Sequence, residues 1–226
     1  MYNILRFEDV TSTNDVLKTM NAPCGTVAVA KRQSAGKGRN GRIFSSPEGG
    51  LYFSVVLEAQ EVSDRLFIPI RAAAAVCAAL SKHTECAIKW SNDILSKGKK
   101  ICGILAESSG KSVVLGIGIN LAAPQSYFTE NGLSDASSVF ALTGKMPDGE
   151  GIMNDILSRL AENAPKHEVM SYYRQNCITL GKRVRVIKES GEYTAKAVDL
   201  DESGRLVVLK DGGYITVNSG EVSIRA

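Results

Sequence analysis

Apolar and polar positions alternate at strand spacing and then at helix spacing along the chain, and their order outlines the molecule. YNILRFEDV reads as a short strand. TSTNDVLKTM follows as a helix, with Ser12 or Thr13 at its N-cap and Asp15 in its first turn. Pro23 and Gly25 break the chain before the strand TVAVAKR. RIFSSPEGG then reads as a turn region and LYFSVVLE as a strand rich in β-branched and aromatic residues. From Asp64 to His83, the residues Leu66, Ile70, Ala73 or Ala74, Cys77 and Leu80 recur at spacings of three and four, which predicts a core helix. Pro69 falls early in it, in a first turn or at its true start. The many alanines of this helix predict close packing against a sheet.

CAIKW reads as a short strand and SNDILSKGKK as a turn with three lysines in its latter part. ICGILAES and SVVLGIGINL read as strands joined through Ser109-Gly110-Lys111, a hairpin at the centre of the sheet. Gly103, Gly116 and Gly118 inside these strands mark a bulge, a close backbone approach or simple packing on the alanine-rich helix. Residues 122 to 147 are looser, with a short helix around Ser137–Leu142. Asp148 then caps a helix running to about Asn163, and HEVMSYYRQN adds one more helical piece. From Gly181 the spacing changes to five short strands, KRVRVIKE, YTAKAVDLD, RLVVLK, GYITV and EVSIRA, with turns at Gly191, Gly204, Gly212–Gly213 and Gly220. The fold class is therefore α+β over residues 1–180, followed by a small SH3-like β-barrel over 181–226.

Composition narrows the function classes. With 226 residues, 44% hydrophobic and 23% charged, the chain has the make-up of a globular protein with a real core. A net charge of +3 lacks the basic excess of a nucleic-acid binder. The five cysteines contain no CxxC pair, and four lie in apolar surroundings, which fits reduced thiols and a cytoplasmic location. The two histidines, His83 and His167, stand at no metal-ligand spacing from a cysteine, so a zinc site is not expected. The N-terminus has no signal-peptide pattern, and the longest apolar run, Ala72 to Leu80, is too short to span a bilayer.

Candidate chemistry concentrates in Lys31–Arg42, KRQSAGKGRNGR. Lys31, Arg32, Lys37, Arg39 and Arg42 are basic, no residue is acidic, and Gly36, Gly38 and Gly41 are spaced among them. Glycine lets backbone N–H groups converge on an anion, and arginine adds a charged fork that matches phosphate or carboxylate. The stretch is too irregular for a helix or strand and does not match the P-loop spacing or a dinucleotide-binding motif. A solvated loop, an RNA-binding patch and a nucleotide or acyl-phosphate cradle all fit it. Lys89, between Ile88 and Trp90, either snorkels to solvent or faces a ligand anion. Asp93 reads as a cap, a turn residue or a magnesium contact, and Asn120 ends the strand GIGIN, where its amide serves a ligand or the next turn.

Five blocks in order resemble the biotin–protein ligases. They are Ser12-Thr13-Asn14, the loop Gly36-Lys37-Gly38-Arg39-Asn40-Gly41-Arg42 with Gln33 before it, Lys89-Trp90-Ser91-Asn92-Asp93, Cys102-Gly103-Ile104-Leu105-Ala106-Glu107, and Gly116-Ile117-Gly118-Ile119-Asn120. The resemblance implies a mixed-sheet catalytic domain of class II synthetase-like type. It implies an enzyme that joins biotin to ATP, with Mg2+ assisting, as biotinyl-5′-AMP, and then passes biotin to a lysine of a biotin carboxyl carrier domain. By resemblance, Lys89 and Arg39 are catalytic, and Ser12, Thr13, Asn14, Gln33, Lys37, Gly38, Arg39 and Lys89 bind biotin. Arg42, Phe44 and Asn120 bind ATP or the adenylate, Phe44 by stacking on adenine, and the glycines leave room for the bicyclic ring. Metal ligands are not implied.

Two departures from the pattern stand out. Lys37 replaces an arginine, keeping charge but losing the fork, and Ser91 replaces the usual proline, which predicts a looser turn at Asn92 and Asp93. Many bacterial relatives carry an N-terminal DNA-binding winged helix. This chain begins at the catalytic domain, so a repressor role is not expected. No nucleic-acid or membrane partner is expected, and the protein would be a monomer or homodimer. A lipoate–protein ligase of the same fold and a non-enzymatic binding module are the alternative readings.

Overall fold

The computed structural model describes residues 1–59, 61–188, 191–218 and 221–224. The chain runs β1 (Asn3–Val10), α1 (Thr13–Thr19), β2 (Thr26–Gln33), β3 (Leu51–Glu58), α2 (Val62–Leu80), β4 (Ala87–Lys89), β5 (Asp93–Ser96), β6 (Lys99–Ser109) and β7 (Ser112–Ile119). It continues as α3 (Gln125–Glu130), α4 (Val139–Thr143), α5 (Gly149–Ala161) and α6 (Lys166–Asn176), and then β8 (Arg183–Lys188), β9 (Gly191–Leu200), β10 (Leu206–Lys210), β11 (Gly213–Val217) and β12 (Glu221–Ile224). The fold is α+β. A mixed seven-stranded sheet has the order β1-β2-β3-β7-β6-β5-β4, and a five-stranded antiparallel sheet has the order β11-β10-β9-β8-β12. Only β1 and β2 pair in parallel, because α1 crosses between them; the other neighbours of the large sheet are antiparallel. Gly220 and the last residues of EVSIRA lie outside the described residues. No helix among the described residues is long and apolar enough to cross a membrane.

The core lies between one face of the large sheet and α2. Ala72, Ala73, Val76, Cys77 and Leu80 are fully buried, packed with Phe53, Leu115, Ile117 and Ile94. α2 is buried almost all round because the sheet covers one side and α5 and α6 another. A single apolar stripe is therefore too narrow a description of it, and Leu66, expected on that stripe, is exposed. The helix also starts earlier than expected, at Val62, where the Glu61 N–H donates to Asp64 Oδ2 at 3.2 Å. Pro69 consequently lies in the helix interior, where it supplies no N–H to the Arg65 carbonyl.

The stretch SNDILSKGKK, read as a turn, contains β5. Lys97 and Gly98 form its turn at positive φ, and the strand returns as β6. Ile94 fills the core from there, so β5 is held by packing that a short, lysine-rich segment does not advertise. α3 carries no sequence signal. Its single buried apolar residue, Phe128, gives too little periodicity to detect. Asp148 does occupy the N-cap position of α5 but makes no side-chain cap bond. The β6–β7 hairpin forms at the middle of the sheet, turning at Gly110 with φ of 60°.

Candidate active site

Helix α1 begins at the end of β1, and its first N–H is satisfied from across the sheet. Ser12 holds the N-cap position, yet the cap bond comes from Gln33 at the end of β2, whose Oε1 accepts from the Thr13 N–H at 2.9 Å and lies 3.2 Å from Thr13 Oγ1. Gln33 Nε2 donates to Ser46 Oγ at 2.8 Å. Below, Ser54 Oγ on β3 lies 2.6 Å from Thr13 Oγ1 and 2.5 Å from Asn14 Oδ1, and Asn14 Nδ2 donates to Glu107 Oε2 at 2.7 Å. Ser12, Thr13 and Asn14 are each no more than 3% exposed. Together with Gln33, Phe44 and the glycine-bearing β6 and β7 they line a small polar pocket. Ser54 and Glu107 belong to this site through tertiary contacts alone. Ser54 lacks any motif, and only the β3 register brings it under Thr13.

The glycines have a specific reason. Gly103 and Gly118 face each other across β6 and β7 in unbroken register, and the Phe44 ring lies over both. A Cβ on Gly118 would sit 2.6 Å from Phe44 Cε1, and one on Gly103 2.9 Å from Cε2. A Cβ on Gly116 would sit 2.3 Å from Asn14 Oδ1. The close approach is thus by side chains of this protein. The space above the sheet expected for a ligand ring is filled, over Gly103 and Gly118, by Phe44.

Beyond Phe44 the floor opens into a cleft with about 910 Å³ of empty space, mouth included, lined among others by Lys37, Arg39, Arg42, Lys89, Asp93 and Lys100. The basic loop forms one wall. Its arms close on each other, with Phe44 N–H donating to Gly36 O at 2.8 Å and Gly38 N–H to Arg42 O at 2.7 Å. A single 3-10 turn, Arg39–Gly41, makes the tip, with Asn40 and Gly41 at positive φ. The loop is therefore more regular than its sequence suggests. Arg39 Nη1 donates to Ser91 Oγ at 2.7 Å and Asn92 Oδ1 at 3.0 Å. Asn92 Nδ2 donates to Ile104 O, and Tyr173 Oη to Ser91 O at 3.0 Å. These bonds tie the Ser91–Asn92 turn to the basic loop, to β6 and to α6, and the Ser91 hydroxyl accepts from Arg39.

Lys89 ends β4 and opens onto this cleft, half-buried. Among the described residues no carboxylate forms an ion pair with it. Lys37 does have a partner, Asp15 Oδ1 at 2.6 Å, and Lys18 pairs with Asp15 at 3.4 Å and with Glu107 at 2.8 Å. Burial pushes both carboxyls up, but the bonds and charges of the lysines outweigh it: Lys37 and Lys18 hold Asp15, and Lys18 with Asn14 holds Glu107, below the usual carboxylate range. Lys37 thus spends its side chain on α1. Asn120 is outside both pockets; its Nδ2 donates to Ser137 O at 3.1 Å and its backbone ties β7 to Ile101 and Val139. Burial raises the Cys102 thiol well above its ordinary value, which leaves it unsuited to nucleophilic work.

The arrangement offers a small polar pocket beside a cleft of fixed positive charge. That geometry can bind a neutral polar head and an attached anion, and it can bring a second anion against the first.

Comparison with known proteins gives the family. Residues 5–122 match the model of the biotin/lipoate A/B protein ligase family and residues 179–225 that of the biotin protein ligase C terminal domain. The chain is 30% identical to the bifunctional ligase/repressor BirA of Bacillus spizizenii over 97% of its own length and 74% of the relative's. It is 31% identical to a biotin–[acetyl-CoA-carboxylase] ligase of Mycobacterium tuberculosis, over 88% and 78%. Its structure superposes on a biotin protein ligase from Aquifex aeolicus, solved in complex with biotin and ATP, with a TM-score of 0.84 at 33% identity, covering 100% of this chain and 99% of that one. Two matched models in the order of the two sheets, and relatives aligned along nearly the whole length, place the chain in the biotin/lipoate A/B protein ligase family.

Proposed function

We propose that the protein is a biotin–protein ligase. Biotin's carboxylate attacks the α-phosphate of ATP, a P–O bond breaks, and biotinyl-5′-AMP and pyrophosphate form. The amine of a lysine on a biotin carboxyl carrier domain then attacks the acyl carbon, and AMP leaves. Residues 1–180 carry the chemistry and 181–226 form the C-terminal unit.

The observation that carries this reading is the adjacency of the Thr13–Gln33 pocket to a cleft lined by Lys89, Arg39 and Arg42. A ureido ring has N–H and C=O groups to exchange hydrogen bonds with Ser12, Thr13, Asn14 and Gln33. Lys89 and Arg39 then meet the carboxylate and the α-phosphate, whose mutual repulsion is the barrier to their approach. Gly38 and Lys37 contribute backbone to the loop over biotin. Arg42 and Phe44 adjoin the adenylate, and Asn120 acts from behind, by holding the end of β7. Among the described residues no group of three or more His, Cys, Asp or Glu side chains is gathered to hold a metal. Magnesium would arrive with ATP, bound chiefly by phosphates and water, and would neutralise phosphate charge there.

A lipoate ligase is the alternative within the family. A dithiolane ring has no N–H or C=O group to exchange hydrogen bonds with Ser12, Thr13, Asn14 and Gln33, so the small pocket offers it no polar recognition. The test is ATP–pyrophosphate exchange by the purified chain with biotin or lipoate. Exchange that depends on biotin is expected; exchange with lipoate alone, or none with either, refutes the proposal.

A further inference from the structure

The turn after β4 departs from the biotin-ligase pattern at Ser91, where proline is usual. The Ser91 hydroxyl makes two bonds that a proline cannot make. Its Oγ accepts from Arg39 Nη1 at 2.7 Å and donates to Asn92 Oδ1 at 3.1 Å. Asn92 Oδ1 also accepts from Arg39 Nη1, at 3.0 Å, which closes a small ring. A hydroxyl has one proton and two lone pairs; here the proton goes to Asn92, which leaves a lone pair for the guanidinium. Bonds linked in this way polarise and strengthen one another.

The turn is a firm base for the ring. Tyr173 on α6, fully buried, donates its hydroxyl to Ser91 O at 3.0 Å, and the Trp90 N–H donates to Thr179 Oγ1 at 2.9 Å. Asn92 Nδ2 donates to Ile104 O at 2.8 Å, and the Ile104 N–H donates back to Asn92 O at 3.0 Å. The loop opposite has less cover. Lys37, Asn40, Gly41, Arg42 and Ile43 are exposed, whereas Arg39 is half-buried and bonded across to the turn. Ordering a long arginine side chain costs conformational entropy, which a ligand must otherwise supply when it binds. Serine and asparagine are neutral, so these two bonds orient the guanidinium without neutralising it.

We infer that Ser91 is a positioning residue: it sets the Arg39 guanidinium at the cleft before an anion arrives and keeps it there while the adenylate is bound. The inference rests on the biotin-ligase reading. It concerns a hydroxyl that the usual proline lacks, and it acts on the reaction only through Arg39.

The experiment compares wild type with Ser91→Ala, Ser91→Thr, Ser91→Pro, Arg39→Met and the double variant Ser91→Ala/Arg39→Met. One measurement is the rate at which preformed biotinyl-5′-AMP leaves the enzyme once free biotin and ATP are removed. The other is the rate of tryptic cleavage after Arg39 in the ligand-free chain, followed by mass spectrometry. Ser91→Ala should release the adenylate about 3- to 10-fold faster, the loss of one partly solvated hydrogen bond, and should be cut after Arg39 faster by a similar factor. Ser91→Thr keeps the hydroxyl and should recover most of both. Ser91→Pro stiffens the turn without a hydroxyl and should behave as Ser91→Ala does. In the Arg39→Met background the alanine should change release by less than about twofold, because its effect runs through Arg39. Unchanged release in Ser91→Ala, wild-type behaviour of Ser91→Pro, or additive losses in the double variant would make Ser91 a turn residue only and overturn the inference. If wild type forms no adenylate from biotin and ATP, the functional reading fails. The tryptic rates then decide by themselves, since equal cleavage of wild type and Ser91→Ala would show that Ser91 does not hold Arg39.

Discussion

Gly118 faces a phenylalanine where its own side chain would begin. Adding one methyl there drives it to 2.6 Å from the Phe44 ring, and the backbone beneath belongs to the centre of the sheet and cannot retreat. Gly118→Ala is expected to cost about 1–3 kcal/mol of stability, as overpacking does, and to push Phe44 toward the cleft. Denaturant unfolding measures the first effect. The double variant Gly118→Ala/Phe44→Ala should recover most of the loss; additive losses would mean that the two residues do not share this space. The presence of glycines at 103, 116 and 118 is legible in the chain, and so is their promise of a close approach. What approaches is not legible, because Phe44 and Asn14 reach them from segments more than fifty residues away. The same holds for Lys37. Its charge is plain in the sequence, but its pairing with Asp15 depends on the loop folding back over α1.

At the scale of elements, α1 is fastened to the sheet by charge as well as by Leu17, through Lys18–Glu107 and Asn14–Glu107. Glu107 is held below the ordinary carboxylate range, because Lys18 and Asn14 outweigh the burial that pushes it up. A lowered folded-state value means stability that is present above the unfolded value, about 4.3 for glutamate, and lost as pH falls through the folded one. Glu107→Gln should therefore lower Tm at pH 7 by about 1–3 °C, modest because the pair is partly solvated. The difference from wild type should close as pH falls below about 4. A constant difference from pH 7 to pH 3 would show that the charge of Glu107 is not what fastens α1. α1 and its first turn are readable from local pattern. β5 is not, since its pairing partners decide it.

For the whole molecule, Trp90 is the joint. The only tryptophan of the chain, it is 6% exposed, and its Nε1 donates to Gly204 O at 2.9 Å, between β9 and β10 of the small sheet, while its backbone N–H donates to Thr179 Oγ1 at 2.9 Å. Gly204 has φ of 78°, and a Cβ there would lie 2.3 Å from Ile70 of α2. Gly204→Ala combines left-handed strain with a clash and should destabilise by about 2 kcal/mol or more. Trp90 fluorescence should report it as a lowered unfolding midpoint. In wild type the fluorescence and far-UV circular dichroism transitions should coincide, because the joint ties the two sheets; separate transitions would show that they unfold independently.

The amino-acid sequence by itself determined the succession of elements apart from α3 and β5, the change from mixed spacing to short strands near residue 180, and the basic, glycine-rich loop as the place to look for anion chemistry. Those features are local: periodicity, turn residues and charge density act over a few residues. Only the tertiary structure decided that Gln33 caps α1, that Phe44 covers the glycines, that Asn120 braces the end of β7 outside the pockets, and that Lys100 faces the cleft. Each of these depends on register and on contacts between segments far apart in the chain, which are fixed only when the sheet closes its hydrogen bonds and buries its core.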